Sequence, residues 1–287
     1  MEIMRAAMST CGFKEMTDND FDLLVKAGIR DIEISVSDFM YKTLDHVGIA
    51  KRAEYHGVNI WSYHLPFSPF EEIDIARKEL KNYSVTYFSE LIKKAGDIGV
   101  KYVVVHPSGE PFSDAERGEA IEISMESLAQ LAEVASREGC VIAVEDLPRT
   151  CLGRNSDEIL KLISADERLR VCFDTNHLLG ETIKDFIEAV GDKIVTTHFS
   201  DYDFKNERHW VPGEGDINWV ELIEALEKVG YTGPILYEVG LTPSYSIERR
   251  NLTFEDFEKN RRLLVEKKPL DVIGTPILEK CIHWKEL

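Results

Sequence analysis

Six short apolar runs in this chain close on a residue able to ligate a cation. WSYHLP, VVVHPS, IAVEDLPR, VCFDTNH, VTTHFSD and LYEVG end on His64, His106, Glu145, Asp174, His198 and Glu238. Carboxylates and imidazoles without thiolates suit Mn²⁺, Mg²⁺, Co²⁺ or Zn²⁺. A divalent ion would also offset the repulsion of several acidic groups gathered in a partly buried place. A single strand-end carboxylate is ordinary, and an isolated Glu145-Asp146 pair would read as solvated polarity. Six matches in series are not ordinary.

Other residues lie close to these in sequence. Asp174 and His177 form a D-x-x-H whose two side chains can face the same mouth. In RHWVPGEGDINW, Arg208 and His209 can reach a hydroxyl or phosphate, Gly213 and Gly215 permit a tight turn, and Trp219 starts a helix. Arg149 is a candidate for anionic substrate groups, and Phe67 and Phe70 for an apolar lid. His46, His56 and His283 fall in helical or tail segments and read as structural or solvated. Cys151 and Cys172 lie near the site without an evident catalytic partner.

Positioning such residues requires strands that all end on one rim. The strand candidates are Ile3–Ser9, Asp31–Ser35, Asn59–His64, Lys101–His106, Val141–Glu145, Leu169–Asp174, Lys193–His198 and Pro234–Glu238. Most carry the β-branched residues that suit buried parallel strands. Amphipathic segments alternate with them: Ile121, Met125, Leu128, Ala132 and Ala135 share one helical face, as do Trp219, Ile223, Leu226 and Val229. Thr17-x-x-Asp20, Ser113-x-x-Glu116 and Asn155-x-x-Glu158 mark helix starts, and Gly28, Gly57, Gly99, Gly139 and Gly230 mark stops. Eight strand–helix units without a long linker predict an α/β fold, a closed (β/α)₈ TIM barrel rather than an open sheet. One domain over 1–287 is expected, with the residues after about 268 a C-terminal extension.

Composition narrows the partners. The chain has 287 residues, 44% hydrophobic and 30% charged, as an ordinary folded protein does. Against 34 Lys+Arg stand 52 Asp+Glu, a net charge of −18 that opposes nucleic acid and anionic membrane. A small-molecule substrate fits better, and a homo-oligomer is compatible with this reading. The five cysteines are scattered and form no CxxC pair, so they suggest neither a disulfide framework nor a zinc-thiolate site and point to a reducing cytoplasm. Neither a signal peptide nor a membrane span is evident.

Taken together, VVVHPS, VEDLPR, FDTNH, HFSDYD, RHWVPGEGDINW and LYEVG resemble the sugar-phosphate isomerase/epimerase family of xylose-isomerase-like barrels, a group related to endonuclease IV. In the single-metal ketose epimerases of that superfamily the ion is held by Glu, Asp, His and Glu of strands five to eight, which match Glu145, Asp174, His198 and Glu238. The two glutamates then double as the acid/base pair. A metal bridging a substrate carbonyl and the adjacent hydroxyl polarises the C–H between them and stabilises the enediolate, and two carboxylates can remove and return the proton. The resemblance therefore implies a metal-dependent sugar or sugar-phosphate isomerase or epimerase.

Two other enzymes share these residues. Endonuclease IV uses nine ligands for three zincs, and the matching segments here offer His64, His106, Glu145, Asp174, His177, His198, Glu207, His209 and Glu238, with Glu207 where that family has aspartate. Its phosphodiesterase chemistry conflicts with the charge of −18. A metal-dependent dehydratase or lyase acting on a keto-polyol would use the same enolisation but expel a hydroxyl. A sugar or metal receptor without turnover fits poorly with paired glutamates suited to proton transfer.

Overall fold

The computed structural model describes residues 4–13, 16–67 and 73–286. Eight parallel strands form the barrel: β1 (Ala6–Ser9), β2 (Asp31–Ile34), β3 (Asn59–His64), β4 (Tyr102–Val105), β5 (Val141–Glu145), β6 (Arg170–Asp174), β7 (Ile194–His198) and β8 (Ile235–Tyr237). From β1 to β7 each strand pairs with the next in sequence, and β1 also pairs with β8. The ring is completed where Phe199, just beyond β7, bridges to Tyr237 and donates its N–H to the Leu236 carbonyl at 2.7 Å. The expected strands are all present, each within a few residues of its expected limits; Ile3 lies outside the described residues.

Around the strands run α1 (Asp18–Ala27), α2 (His46–His56), α3 (Lys81–Asp97), α4 (Arg117–Arg137), α5 (Ser156–Ile163), α6 (Ile183–Val190), α7 (Trp219–Lys228) and α8 (Phe254–Val265). Thr17 and Asn155 cap α1 and α5 as expected, accepting from the amides of Asp20 and Glu158. Ser113 differs: it closes a turn with Glu116, and α4 begins at Arg117 with Glu116 at the cap. Gly28 and Gly57 end α1 and α2 at φ 90° and 65°, a left-handed backbone that costs glycine least. None of the described helices is long and apolar enough to cross a membrane.

Strand alternation decides what the barrel encloses. Val103, Val105, Ile142, Val144, Val171 and Phe173 join the main core under the helices. The intervening residues point inward, where Val104, Ala143 and Cys172 form a separate small apolar floor. Fully burying a large aliphatic or aromatic side chain stabilises by about 1.5–3 kcal/mol, so the outward set fixes the parity of each strand. Glu33, His64, Glu145, Asp174 and His198 then have nowhere to point but the interior, and all are buried.

The C-terminal segment is more than an appendage. Ile247–Glu248 (β9) pairs antiparallel with Thr275–Pro276 (β10), and Cys281 is buried with Trp210 and Ile247. Beyond it, the Trp284 amide donates to the Lys205 carbonyl at 3.1 Å. The tail thus lies against the loop that follows β7.

Candidate metal centre

Glu145 is the hub. Its Oε2 lies 3.0 Å from His64 Nε2 and 3.2 Å from His106 Nε2, and its Oε1 lies 2.9 Å from His198 Nδ1. Asp174 Oδ2 and Glu238 Oε2 approach the same His198 nitrogen at 3.7 and 3.6 Å. Glu145, Asp174, His198 and Glu238 thereby present one ligand atom each within 4.8 Å of one another. His64, His106 and Glu145 form a second such group, and His177, Glu207 and His209 a third.

The orientation of each imidazole is fixed from behind. His64 Nδ1 faces the Leu65 carbonyl at 2.7 Å, and His177 Nδ1 faces the Asp146 carbonyl at 2.7 Å. A carbonyl only accepts, so these nitrogens carry the hydrogen and Nε2 of each ring is turned into the site. His198 is reversed: Nε2 lies 3.1 and 3.2 Å from the two oxygens of Glu33, leaving Nδ1 for the centre. Glu33 in turn accepts from Ser62 Oγ at 2.8 Å. A carboxylate behind a histidine is the usual support of a metal-ligating ring.

Charge is balanced inside the barrel. Burial alone would raise Glu145, but the His198 and His106 charges and hydrogen bonds outweigh it and hold the carboxyl well below its ordinary 4.5. Burial would lower His198, yet Cys172, Glu33, Glu145 and Glu238 raise it well above 6.5. His177 is raised likewise, against burial, by Asp174 and Glu207. Asp174 itself is pushed well above 3.8, chiefly by burial and then by the Glu238 and Glu145 charges. Its Oδ2 is buried and has no hydrogen-bond partner among the described residues. An orphaned carboxylate oxygen beside a histidine nitrogen and two further carboxylates fits a divalent cation in chemistry and in spacing.

The other expected residues fall into two sets. His106 and Phe67 stack at the rim with centroids 4.3 Å apart, whereas Phe70 lies outside the described residues. His209 Nδ1 reaches the Glu238 carboxylate at 3.8 Å, and Glu207 Oε1 lies 3.0 Å from His177 Nε2. Arg149 is tied to Glu110 at 2.6 Å and to Glu207. Arg208, expected to meet a substrate hydroxyl or phosphate, is instead buried: it pairs with Asp203 at 3.0 Å and donates to the Ile282 carbonyl at 2.9 Å. It clamps the β7 loop to the tail. His46 bonds to Leu44 and Tyr63, and His56 to Asp18, both structural as expected. His283, expected to be remote, borders a cavity with His177. Cys172 lies within ligand range of Glu145 and His198, but burial raises its thiol well above 9.0.

Two supporting residues escaped the sequence reading. Glu33 is one; its signal is the alternation Asp31-Ile32-Glu33-Ile34, which has the same inward parity as the ligands. Asp201 is the other, accepting from the amides of Gly213 and Ile217 at 2.8 and 3.2 Å and from Trp219 Nε1 at 2.8 Å. It folds the loop carrying Glu207 and His209 against the rim. Gly215 is required there, since a Cβ would sit 2.4 Å from both Asp201 Oδ1 and the Tyr202 carbonyl.

Residues 21–258 match the family described as xylose isomerase-like TIM barrel. The protein MJ1311 of Methanocaldococcus jannaschii is 26% identical over 226 residues, 76% of this chain and 72% of its own length. A probable endonuclease 4 of Staphylococcus aureus is 28% identical over 191 residues, 58% of this chain and 60% of that one. A D-psicose 3-epimerase from Clostridium cellulolyticum H10 shares the fold with a TM-score of 0.69 at 19% identity, covering 83% of this chain and 86% of its own.

Proposed function

The chain belongs to the xylose isomerase-like TIM barrel family, and on that basis we propose that it is a divalent-metal-dependent sugar or sugar-phosphate isomerase or epimerase. The observation that carries this reading is the group of Glu145, Asp174, His198 and Glu238, with the Glu145 and Glu238 carboxylates 2.9 and 3.6 Å from the same His198 nitrogen. These four residues would hold the ion, which when bound would polarise a ketose carbonyl and its neighbouring hydroxyl and so acidify the C–H between them.

The two glutamates are not equivalent. Glu145 meets four histidines, His64, His106 and His198 within 3.2 Å and His177 at 3.8 Å, whereas the contacts described for the Glu238 carboxylate are His198 at 3.6 Å and His209 at 3.8 Å. Glu238 is thus the freer group to take a proton from carbon. Glu145, bonded to His64 and His106, can relay a proton from one of these histidines to the substrate carbon. The neighbouring fold of a D-psicose 3-epimerase is consistent with this chemistry.

A specific observation favours a second reading, a multi-zinc phosphodiesterase. His64 and His106 complete one further ligand group with Glu145, and His177, Glu207 and His209 another, and the chain has endonuclease 4 relatives. The net charge of −18 weighs against a DNA substrate.

A panel of ketoses and ketose phosphates with Mn²⁺, Co²⁺, Mg²⁺ or Zn²⁺, read by solvent-deuterium incorporation, separates the readings. Deuterium should enter at the carbon beside the carbonyl, and Glu145→Gln and Glu238→Gln should each cut exchange by about 100-fold to 10,000-fold, the usual worth of a general base. Exchange without a new stereoisomer but with loss of water would identify a dehydratase. Cleavage of an abasic duplex in the absence of any exchange would refute the isomerase.

A further inference from the structure

Beside the metal centre lies a cavity of about 320 Å³ whose charge is opposite to that of the chain as a whole. Arg149, Arg154 and Lys285 line it together with His177, His283 and Trp284, and no carboxylate does. In a chain of net charge −18, a cavity lined by three cations, of which Lys285 and Arg154 are the least tightly paired, suits an anion.

The cations are held in different ways. Arg149 is fixed by Glu110 and Glu207, and through Glu207 it is one step from His177. Arg154 is looser: Asp114 lies 3.4 Å away and Glu158 3.6 Å, and Glu158 is already bound by Arg117 at 2.6 Å. Lys285 places its ammonium 5.4 Å from the Trp284 ring centroid, and it has no carboxylate partner among the described residues. Trp284 stacks on His283 at 6.0 Å, and its backbone is tied to Lys205. The tail is therefore fixed, with its cation and aromatic ring at the cavity. His177 forms the shared wall: it lines the cavity and also lies 3.7 Å from Asp174 Oδ2.

We infer that this cavity is an anion subsite, completed by Trp284 and Lys285 of the C-terminal segment, that holds a phosphate or carboxylate at one end of the substrate while its reacting carbons lie at the metal centre. The inference rests on the sugar isomerase or epimerase reading for what the rest of the substrate is, but the subsite stands on its own geometry. It selects anionic sugars over neutral ones by pairing the anion with Lys285, which has no carboxylate partner among the described residues, and with Arg154, whose ion pairs are longer than that of Arg149 with Glu110.

The metal-loaded protein, and in parallel the chelator-treated protein, is titrated with inorganic phosphate and separately with acetate. Binding is followed by the part of the tryptophan emission that Trp284→Phe removes. Saturable quenching is expected in both metal states, with Lys285→Gln and Arg154→Gln each weakening it about tenfold. The tighter of the two anions identifies the group recognised. No saturation, or affinities within twofold of wild type in both variants, overturns the subsite. So does phosphate binding that vanishes with the metal, since the ion would then be the receptor. Phosphate binding with these dependences but no deuterium exchange on any ketose would leave the subsite intact and refute only the reaction.

Discussion

On the proposed metal-dependent reading, Glu33 should carry a measurable share of metal affinity through His198. Its carboxylate lies 3.1 and 3.2 Å from His198 Nε2, and it is held ionised because the His198 and His64 charges outweigh the effect of burial. It therefore keeps a hydrogen on Nε2 and aims Nδ1, which would give up its proton to a bound cation, at Glu145, Asp174 and Glu238. Carboxylates in this position contribute about 10-fold to 100-fold to metal affinity, or about 1.4–2.8 kcal/mol. Glu33→Ala should lose the upper part of that range, because it also strands the Ser62 hydroxyl that donates at 2.8 Å. Glu33→Gln retains an acceptor but not its charge, and charge-assisted bonds are about twice as strong as neutral ones, so about tenfold is expected. The assay is competition for Mn²⁺ or Zn²⁺ against a chromophoric chelator at fixed pH, with thermal unfolding in chelator as the check on folding. A Glu33→Ala protein that is folded and binds metal within twofold of wild type would refute the argument.

Further outcomes follow from the same geometry. Asp201→Ala strands the Gly213 and Ile217 amides and the Trp219 indole, and should destabilise by about 3–5 kcal/mol in urea unfolding; a loss below 1 kcal/mol would show that water replaces it. With His198 and His177 raised above 6.5, the folded metal-free chain holds protons that the unfolded chain has shed, so its stability should fall as pH rises from 6.5 through the folded values. Metal binding should accordingly release protons near neutral pH and tighten as pH rises, which calorimetry in buffers of different ionisation enthalpy would detect; zero protons released would contradict this. Glu207→Gln should leave the tightest metal equivalent in place by elemental analysis, because Glu207 is committed to Arg149 and His177; loss of that equivalent would place the ion elsewhere.

The strand ends were readable because a buried parallel strand has a period of two and its apolar members must face the helices. Once Val144 and Phe173 lie in the outer core, Glu145 and Asp174 must point inward. The helix stops were readable because a left-handed residue favours glycine, and all five expected positions have positive φ. What stayed hidden was non-local. Asp201 binds groups 12 to 18 residues further on, and Arg208 meets Ile282 across 74 residues. Periodicity carries no information about such pairings. Lys285 and His283 likewise read as an ordinary tail until the chain is folded back to the rim.

The arrangement around Glu207 bears on how many ions the barrel holds. Four ligand groups are geometrically present among the described residues, and three of them share Glu145. The fourth depends on Glu207, whose two oxygens are already taken by His177 and Arg149. The Arg149, His177 and His209 charges depress its carboxyl despite burial, so the negative charge that would attract a second cation is already neutralised by the protein. A cation entering there would have to displace an arginine that is itself fixed by Glu110 at 2.6 Å. Asp174 Oδ2 has no such partner among the described residues. Electrostatics therefore ranks the groups where distance alone does not: on the proposed reading a cation would enter the Glu145, Asp174, His198 and Glu238 group, because the Glu207 carboxylate is already paired with Arg149. That ranking favours a single essential metal beside an arginine-lined anion pocket, the division of labour that a phosphorylated or acidic sugar would require.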